Sequence, residues 1–310
     1  MGFRTLGRSG LKVSLAGLGT NNFGQRVPLE TAREVIDAAL DHGINFFDTA
    51  DVYGGRGGSE TAIGEVLGAR RGRVVLATKF GNKFDVEAQK FGASRSYIIE
   101  AVEGSLKRLR TDWIDLYQIH RPDPQTPIEE TLRALDHLVT SGKVRYIGLS
   151  NYAAWQATDA QWVTRYLGLA RLISAQDEYS LINRKAETEL LPALEAAGLG
   201  LLPYLPLAGG LLTGKYQRGA APPLGTRFAQ GGPRADRFFT DANFTLVEKL
   251  TLFAEERGRS LADLALAWLA AQRLVGSVIA GATSAAQVAA NVKSLGWQLS
   301  AEDLAAIDAL

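Results

Sequence analysis

The sequence has 310 residues, no cysteine, and 34 Lys and Arg against 33 Asp and Glu, which gives a formal net charge of +1. The missing cysteines exclude disulfides and thiolate chemistry, three histidines favour no metal site, and the balanced charge gives no reason to expect nucleic acid as a partner. With 46% hydrophobic residues and no apolar run of membrane-spanning length, we expect one large core and a cytoplasmic protein without a membrane partner.

Short apolar runs of β type alternate with helical patterns along the chain. We predict strands at 15–19, 45–48, 74–79, 114–120, 144–150, 173–178, 199–205 and 277–279, followed by helices at 29–42, 59–67, 94–109, 128–141, 153–167, 184–197, 242–257 and 285–295. Ser94 and Thr126 are expected to cap two of these helices, the second with Pro127 in the first helical position. Eight such units without a linker predict an α/β fold, a closed (β/α)8 TIM barrel that forms one domain over residues 1–310.

Four segments lie outside the eight units. Residues 3–13 are expected to form an N-terminal hairpin that plugs the N-terminal end of the barrel. Extra C-terminal helices are predicted at 261–271 and 301–310. The stretch 207–240 is rich in Gly, Pro and Arg and has little periodicity, which is typical of a functional loop such as a lid.

Polar residues follow the predicted strands, at the end of a TIM barrel where active sites lie. They are Gly19, Thr20, Asn21, Asp48, Tyr53, Lys79, His120, Ser150, Asn151, Gln176, Tyr204 and the segment 281–284. A lysine beside Tyr53 is expected to lower the pKa of the phenol, and a carboxylate beside that lysine would hold it in place. With His120 as a hydrogen-bond donor, this set predicts proton transfer to a substrate oxygen that gains charge.

Two alternatives apply to parts of this set. Lys79 alone also suits a Schiff-base enzyme, although Asp48 would keep the lysine protonated and non-nucleophilic. The aromatic residues Phe23, Phe80, Phe84, Trp113 and Tyr152 are candidates for the pocket wall, and each also suits the core.

The segment 281–284 opens a helix, so its backbone N–H groups and the helix dipole favour an anion. Lys215 and Arg227 of the long loop add positive charge there. Tyr204 offers a flat face for a heterocycle, and the amides of Asn151 and Gln176 suit pairing with a carboxamide.

Long ordered motifs support a family assignment: GINFFDTADVYG at 43–54, TK at 78–79, DLYQIH at 115–120, KVRYIGLSN at 143–151, PLAGGLLTGKY at 206–216, and the segment 281–291. In these motifs the chain resembles the aldo-keto reductase family, specifically the bacterial branch similar to potassium-channel β subunits. The resemblance implies NADP(H)-dependent reduction of aldehydes and ketones. It makes Tyr53 the general acid, tuned by Lys79 and Asp48, and it assigns His120 to orienting the carbonyl.

The same resemblance implies a set of cofactor-binding residues. They are Gly19, Thr20, Asn21 and Asp48; Ser150, Asn151 and Gln176 at the carboxamide; Tyr204 at the ring; Leu205, Pro206, Leu207, Gly209, Lys215 and Arg227 at the pyrophosphate and lid; and Gly281, Thr283, Gln287 and Asn291 at the adenosine end. Many relatives have Arg where this chain has Gln287, and the missing Arg weakens bidentate binding of a 2′-phosphate. The relatives similar to channel β subunits also carry Gln there and resemble NADP binders, and the long loop offers Lys215 and Arg227, so NADP(H) is favoured and NAD(H) is the alternative.

Three functional alternatives follow for the whole chain: a carbonyl reductase, an NAD-linked alcohol or sugar dehydrogenase on the same fold, and a cofactor-sensing regulatory subunit. The expected partner of the first two is a small-molecule carbonyl or alcohol substrate. The chain stops soon after its last predicted helix, which suggests an open pocket and leaves the substrate, the oligomeric state and the direction of the reaction unpredicted.

Overall fold

A parallel sheet of eight strands wraps around a central axis. A computed structural model describes residues 1–233 and 235–310. The strands are β1 (Phe3–Thr5), β2 (Lys12–Ser14), β3 (Ala16–Gly19), β4 (Phe46–Asp48), β5 (Val75–Phe80), β6 (Ile114–Ile119), β7 (Val144–Ser150), β8 (Leu172–Glu178), β9 (Gly200–Tyr204) and β10 (Val278–Gly281). Strands β3 to β10 pair in parallel in the order β10-β3-β4-β5-β6-β7-β8-β9. Hydrogen bonds from Leu201 N to Leu274 O and from Gly276 N to Leu201 O join β9 to the segment just before β10. The barrel is therefore nearly closed, and the predicted TIM barrel is confirmed.

Helices cover the outside of the barrel. They are α1 (Leu29–Asp41), α2 (Tyr53–Arg56), α3 (Gly58–Leu67), α4 (Arg95–Leu109), α5 (Ile128–Thr140), α6 (Ala154–Tyr166), α7 (Leu190–Ala197), α8 (Pro233–Asp236), α9 (Asp241–Glu255), α10 (Leu261–Ala271), α11 (Ala285–Leu295) and α12 (Ala301–Asp308), with 3₁₀ turns at Gly68–Arg73, Lys185–Glu187 and Ala208–Thr213. Within the described residues, none of these helices has the length and apolar character needed to cross a membrane.

Two helix starts differ from the predicted ones. The helix predicted at 184–197 begins only at Leu190, because the ring of Pro192 would collide with the carbonyl of Thr188 if the helix continued towards the N-terminus. Ser94 caps α4 as predicted. Thr126 does not cap α5: Pro127 is the capping residue, while the Thr126 hydroxyl donates to the carboxylate of Asp123 at 2.8 Å.

The N-terminal hairpin closes the bottom of the barrel, as predicted. Strands β1 and β2 pair antiparallel, and the side chains of Leu6 and Val13 are completely buried. They form an interior cluster with Phe46, Ala77, Leu116, Ile173, Leu202 and Ile279. The N-terminal end of the barrel is therefore apolar and sealed, and polar side chains are left for the opposite end.

The long segment between β9 and α9 is held by aromatic side chains, with little regular structure. Phe228 packs against the rings of Tyr216, Phe238 and Phe239, with centroid distances of 5.4–5.7 Å. A Cβ at Gly209 would lie only 2.4 Å from Phe228, so the aromatic cluster and the glycine backbone fit closely together. On its other side, Arg26 Nη2 donates a hydrogen bond to Gly225 O of the segment at 2.8 Å. This contact holds the segment over the barrel mouth.

The close packing of the N-terminal hairpin against the barrel predicts that a substitution at Gly7 is strongly destabilising. Gly7 has φ +56°, and a Cβ there would lie 2.2 Å from the carbonyl oxygen of Ile173. The control position, Gly168, has a similar φ of +65° but open space around it. We expect Gly168→Ala to cost about 1 kcal/mol of unfolding free energy, and Gly7→Ala to cost at least ~2 kcal/mol more because the plug must shift. Denaturant unfolding followed by circular dichroism measures both, and equal losses would contradict the tight fit.

Candidate active site

A cavity of about 1000 Å³ opens at the C-terminal ends of the barrel strands. The predicted site residues in its wall are Gly19, Thr20, Asn21, Asp48, Tyr53, His120, Ser150, Asn151, Gln176, Tyr204, Leu205, Pro206, Leu207, Gly209, Lys215, Arg227, Gly281, Thr283, Gln287 and Asn291. Lys79 lies behind the wall, in contact with Asp48. The structure thus brings the whole predicted set together, while the role of each residue stays a prediction.

An ion pair lies at the centre of this site. Lys79 Nζ is 2.7 Å from Asp48 Oδ2 and donates a second hydrogen bond to Thr49 O at 2.8 Å. Lys79 is fully buried, and burial, the largest single effect, lowers the pKa of its amine; Asp48 and Tyr53 together raise that pKa more, so it ends above its ordinary value. A lysine held this firmly in its charged form is a poor nucleophile, which argues against the Schiff-base alternative.

Asp48 is fixed from two further strands. Its Oδ1 accepts hydrogen bonds from Gln176 Nε2 at 2.8 Å and from Gln118 Nε2 at 3.4 Å. Gln118 was missed in the sequence, although it is the one amide in the apolar run of β6 and its register places it opposite Lys79 on β5. The carboxylate consequently holds β4, β5, β6 and β8 in a fixed relation at the barrel mouth.

Tyr53 is positioned over this ion pair by the turn α2. The two residues that follow it, Gly54 and Gly55, have φ of 69° and 73°, and a Cβ at Gly54 would lie 2.4 Å from Phe23 O. Lys79 Nζ is 5.0 Å from the centroid of the Tyr53 ring. The prediction that Lys79 lowers the pKa of Tyr53 below its ordinary value is wrong in its net direction, because burial raises that pKa more than Lys79 lowers it. Tyr53 therefore keeps its proton at neutral pH.

His120 lies edge-on to Tyr53, with a centroid distance of 5.7 Å and an interplanar angle of 82°. Burial lowers the pKa of His120 well below its ordinary value, and the positive charges of Lys79 and Arg121 lower it further. The imidazole is thus neutral, with one N–H to donate. Its buried Nδ1 has no hydrogen-bond partner among the described residues.

Asn151 links three strand ends. Although not glycine, it has φ 60°, and its Nδ2 donates to His120 O and to Ser150 Oγ, both at 2.9 Å. Its Oδ1 accepts from the Tyr204 hydroxyl at 2.7 Å. The predicted carboxamide-binding residue therefore also holds His120, Ser150 and Tyr204 in place, a role that the sequence pattern did not indicate.

The opposite wall has the features of an anion site. Ser284 caps α11, and the backbone N–H of Thr283 donates to Gln287 Oε1 at 2.9 Å. This contact leaves the Gln287 amide nitrogen available to a ligand. Across the cavity, a Cβ at Gly210 would lie 2.7 Å from Lys215 Nζ, so the glycine makes room for the lysine.

Several residues in the cavity wall were not predicted. They are polar or basic and lie two to seven residues beyond a strand end: Asn22, Gln25, Arg26, Asn82 and Arg121. A search of the whole strand-end loops, beyond their first positions, would have found them.

The aromatic pocket candidates were wrong for this cavity. Phe23 and Phe80 are core residues, Phe84 and Trp113 pack against arginines, and Tyr152 lines a smaller neighbouring cavity.

A second buried cluster of charges lies behind Tyr53, outside the cavity. Glu60 is fully buried, accepts from Thr78 Oγ1 at 2.5 Å, and pairs with Arg108 Nε at 2.7 Å. Asp51 is also buried and accepts a hydrogen bond from the Tyr97 hydroxyl at 3.3 Å, whereas its Oδ1 has no side-chain partner among the described residues. Burial, reinforced by the negative charge of Glu60, raises the pKa of Asp51 from 3.8 to about 7.

Comparisons with known proteins agree with this geometry. The sequence profile described as "Aldo/keto reductase family" matches residues 16–310. The chain is 42% identical to a "Probable voltage-gated potassium channel subunit beta" of Oryza sativa subsp. japonica, over 95% of this chain and 91% of the rice protein. It is 41% identical to "Uncharacterized oxidoreductase YrpG" of Bacillus subtilis, over 98% and 94% of the two chains. It is 36% identical to "L-glyceraldehyde 3-phosphate reductase" of Escherichia coli O157:H7, over 99% and 92%.

The buried Asp51 predicts a pH-dependent stability. Because its folded-state pKa of about 7 is above the unfolded value of 3.8, the folded protein binds the extra proton between these pH values. The raised pKa of Asp51 therefore stabilises the folded protein. This stabilisation is full below about pH 4 and is lost as the pH rises through 7. Asp51→Asn removes the dependence, so its stability relative to wild type should increase by up to about 4 kcal/mol between pH 4 and pH 8.

Denaturant unfolding at several pH values measures this difference. The matched control is Asp159→Asn, which removes an exposed carboxylate on α6 and should follow the wild-type pH dependence. A constant difference between the Asp51 variant and wild type from pH 4 to pH 8 would show that Asp51 is already ionised throughout.

Proposed function

The chain belongs to the aldo/keto reductase family and is a nicotinamide-dependent oxidoreductase, and from this premise we propose that it uses NADP(H) to reduce aldehydes and ketones with Tyr53 as the proton donor. The observation that supports the proposal is the contact of Asp48 with Lys79 beneath Tyr53, with His120 beside the phenol ring. The substrate is a small carbonyl compound that enters the open cavity.

The residues present fit a dinucleotide. A cavity of about 1000 Å³ has ample room for it, and its wall joins the N-terminus of α11 to Lys215 and Arg227 of the long loop. Helix N-termini and cations are the groups that bind phosphates in proteins. The amide nitrogen of Gln287 and the two cations support NADP(H) over NAD(H), because a 2′-phosphate adds negative charge. The bound cofactor would supply a hydride to the carbonyl carbon.

Side chains of the protein would supply the proton that the substrate oxygen takes up. Tyr53 keeps its proton at neutral pH and donates it to the carbonyl oxygen as that oxygen gains charge. Lys79 then stabilises the phenolate, and Asp48 keeps the ammonium group in place. The neutral His120 donates an N–H hydrogen bond to the same oxygen, which orients the carbonyl without adding a second acid.

This mechanism predicts a specific loss in Tyr53→Phe. The variant keeps the ring but removes the proton donor, so kcat should fall by about 10²- to 10⁴-fold while the Kd for NADPH stays within about twofold. Tyr166→Phe is the matched control, because Tyr166 is 87% exposed on α6, and it should retain full activity. Steady-state assays of NADPH oxidation and a fluorescence titration give the two numbers. Full activity in Tyr53→Phe would overturn the assignment of the proton donor.

Cofactor choice is tested by titrating the apo protein separately with NADPH and NADH and following nicotinamide fluorescence. We expect at least ~10-fold tighter binding of NADPH, the size expected for one charge-assisted contact to the 2′-phosphate. Equal or tighter binding of NADH would favour the NAD-linked dehydrogenase on the same fold. Binding of neither cofactor would remove the basis for hydride transfer.

The second candidate is a cofactor-sensing regulatory subunit, which the 42% identity to the rice protein named as a channel subunit favours. The presence of Asp48, Tyr53, Lys79 and His120 in one site supports turnover instead. Tight NADPH binding without turnover of any carbonyl compound in a broad panel would favour the regulatory function.

A further inference from the structure

The candidate active site has a strongly positive wall. Its cations are Arg26, Arg121, Lys215 and Arg227, whereas the one carboxylate of the wall among the described residues is Asp48. The charge of Asp48 is already balanced by Lys79 behind it. Since the whole chain has a net charge of only +1, this cavity concentrates positive charge well beyond what the composition alone produces.

These cations lie on different sides of the cavity. Lys215 and Arg227 belong to the long loop, and the proposed cofactor phosphates account for them. Arg26 holds that loop through its hydrogen bond to Gly225 O at 2.8 Å. Neither the proposed cofactor phosphates nor a contact with the long loop accounts for Arg121. It follows His120 directly and lies at the Tyr53 end of the cavity, where the carbonyl would be reduced.

Arg121 is exposed and makes no hydrogen bond or ion pair with any residue that the structure describes. The nearest acidic residue in the sequence, Asp123, is occupied by hydrogen bonds from Ala93 N, Gln125 N and Thr126 Oγ1. The positive charge of Arg121 nevertheless reaches the reaction centre, because it helps to lower the pKa of His120. A guanidinium group without a partner among the described residues, in the wall of the same cavity as Tyr53 and His120, is a ready site for an anion.

We propose that the preferred substrate is a short aldehyde or ketone that bears a phosphate or carboxylate group, and that Arg121 binds this anionic group. The inference rests on the proposed reductase function and adds its substrate class. Asn82, half-buried in the same wall after β5, supplies a neutral amide for a further hydrogen bond. Guanidinium binds both anions through two parallel hydrogen bonds, so the geometry defines the charge of the substrate group and leaves its chemical type to experiment.

The test compares charged and neutral aldehydes at saturating NADPH. One pair is glycolaldehyde phosphate and glycolaldehyde, and the other is succinic semialdehyde and butanal. For at least one pair, wild type should prefer the charged member in kcat/KM. In Arg121→Gln the ratio of charged to neutral kcat/KM should fall by about 10- to 100-fold, mainly through KM. The pair with the larger fall identifies phosphate or carboxylate as the group that Arg121 binds.

Two further variants separate a binding role from a general effect of charge. Arg121→Lys keeps the charge but loses the planar fork, and it should retain an intermediate ratio. Arg133→Gln removes an exposed arginine from α5, on the outside of the barrel, and should leave the ratio unchanged.

Two results would overturn the inference and leave the reductase function standing: wild type prefers the neutral member of both pairs, or Arg121→Gln changes both members of each pair equally. Failure to reduce any carbonyl compound despite NADPH binding would instead contradict the proposed function, and the inference with it.

Discussion

The barrel mouth is organised around two charges that have been removed from water. Lys79 is fully buried and Asp48 is 3% exposed, and such burial costs several kcal/mol for each ion. The cost is offset because their remaining hydrogen-bond sites are filled, by Thr49 O on the lysine and by Gln176 and Gln118 on the carboxylate. Those partners come from β6, from β8 and from the residue that follows β4, so the ion pair and the arrangement of these strands depend on each other.

The N-terminal end of the barrel is packed with apolar side chains, whereas the polar site lies at the C-terminal end. The hairpin residues Leu6 and Val13 seal the N-terminal end with apolar contacts. The long segment after β9 is held in turn by its own aromatic cluster around Phe228. Apolar and aromatic contacts away from the cavity thus contribute to holding both the closed end of the barrel and the long segment that forms part of the cavity wall.

Much of this arrangement follows from the sequence, because parallel strands bring their C-terminal ends to one edge. That rule located Asp48, Tyr53, Lys79 and His120 in one site before any contact was known. Features set by three-dimensional packing did not follow from it. Gln118 was missed because its partner depends on strand register, and the net shift in the pKa of Tyr53 depends on burial, which sequence spacing does not measure. The late start of α7 required the steric effect of Pro192 to be weighed against helical periodicity.

The electrostatic arrangement around Tyr53 is asymmetric, and this asymmetry connects the buried and exposed parts of the site. Behind the phenol, the charge of Glu60 is balanced by Arg108, and Asp51 adds negative charge as the pH rises through its pKa of about 7. On the cavity side, Arg121 is positive and unpaired among the described residues. A negative group placed near Arg121 would weaken the positive potential at His120 and make that imidazole easier to protonate, although burial would still oppose the charge. An anionic substrate would thus be bound by a cation that, after burial and Lys79, helps to keep the pKa of the neighbouring histidine low in the free protein.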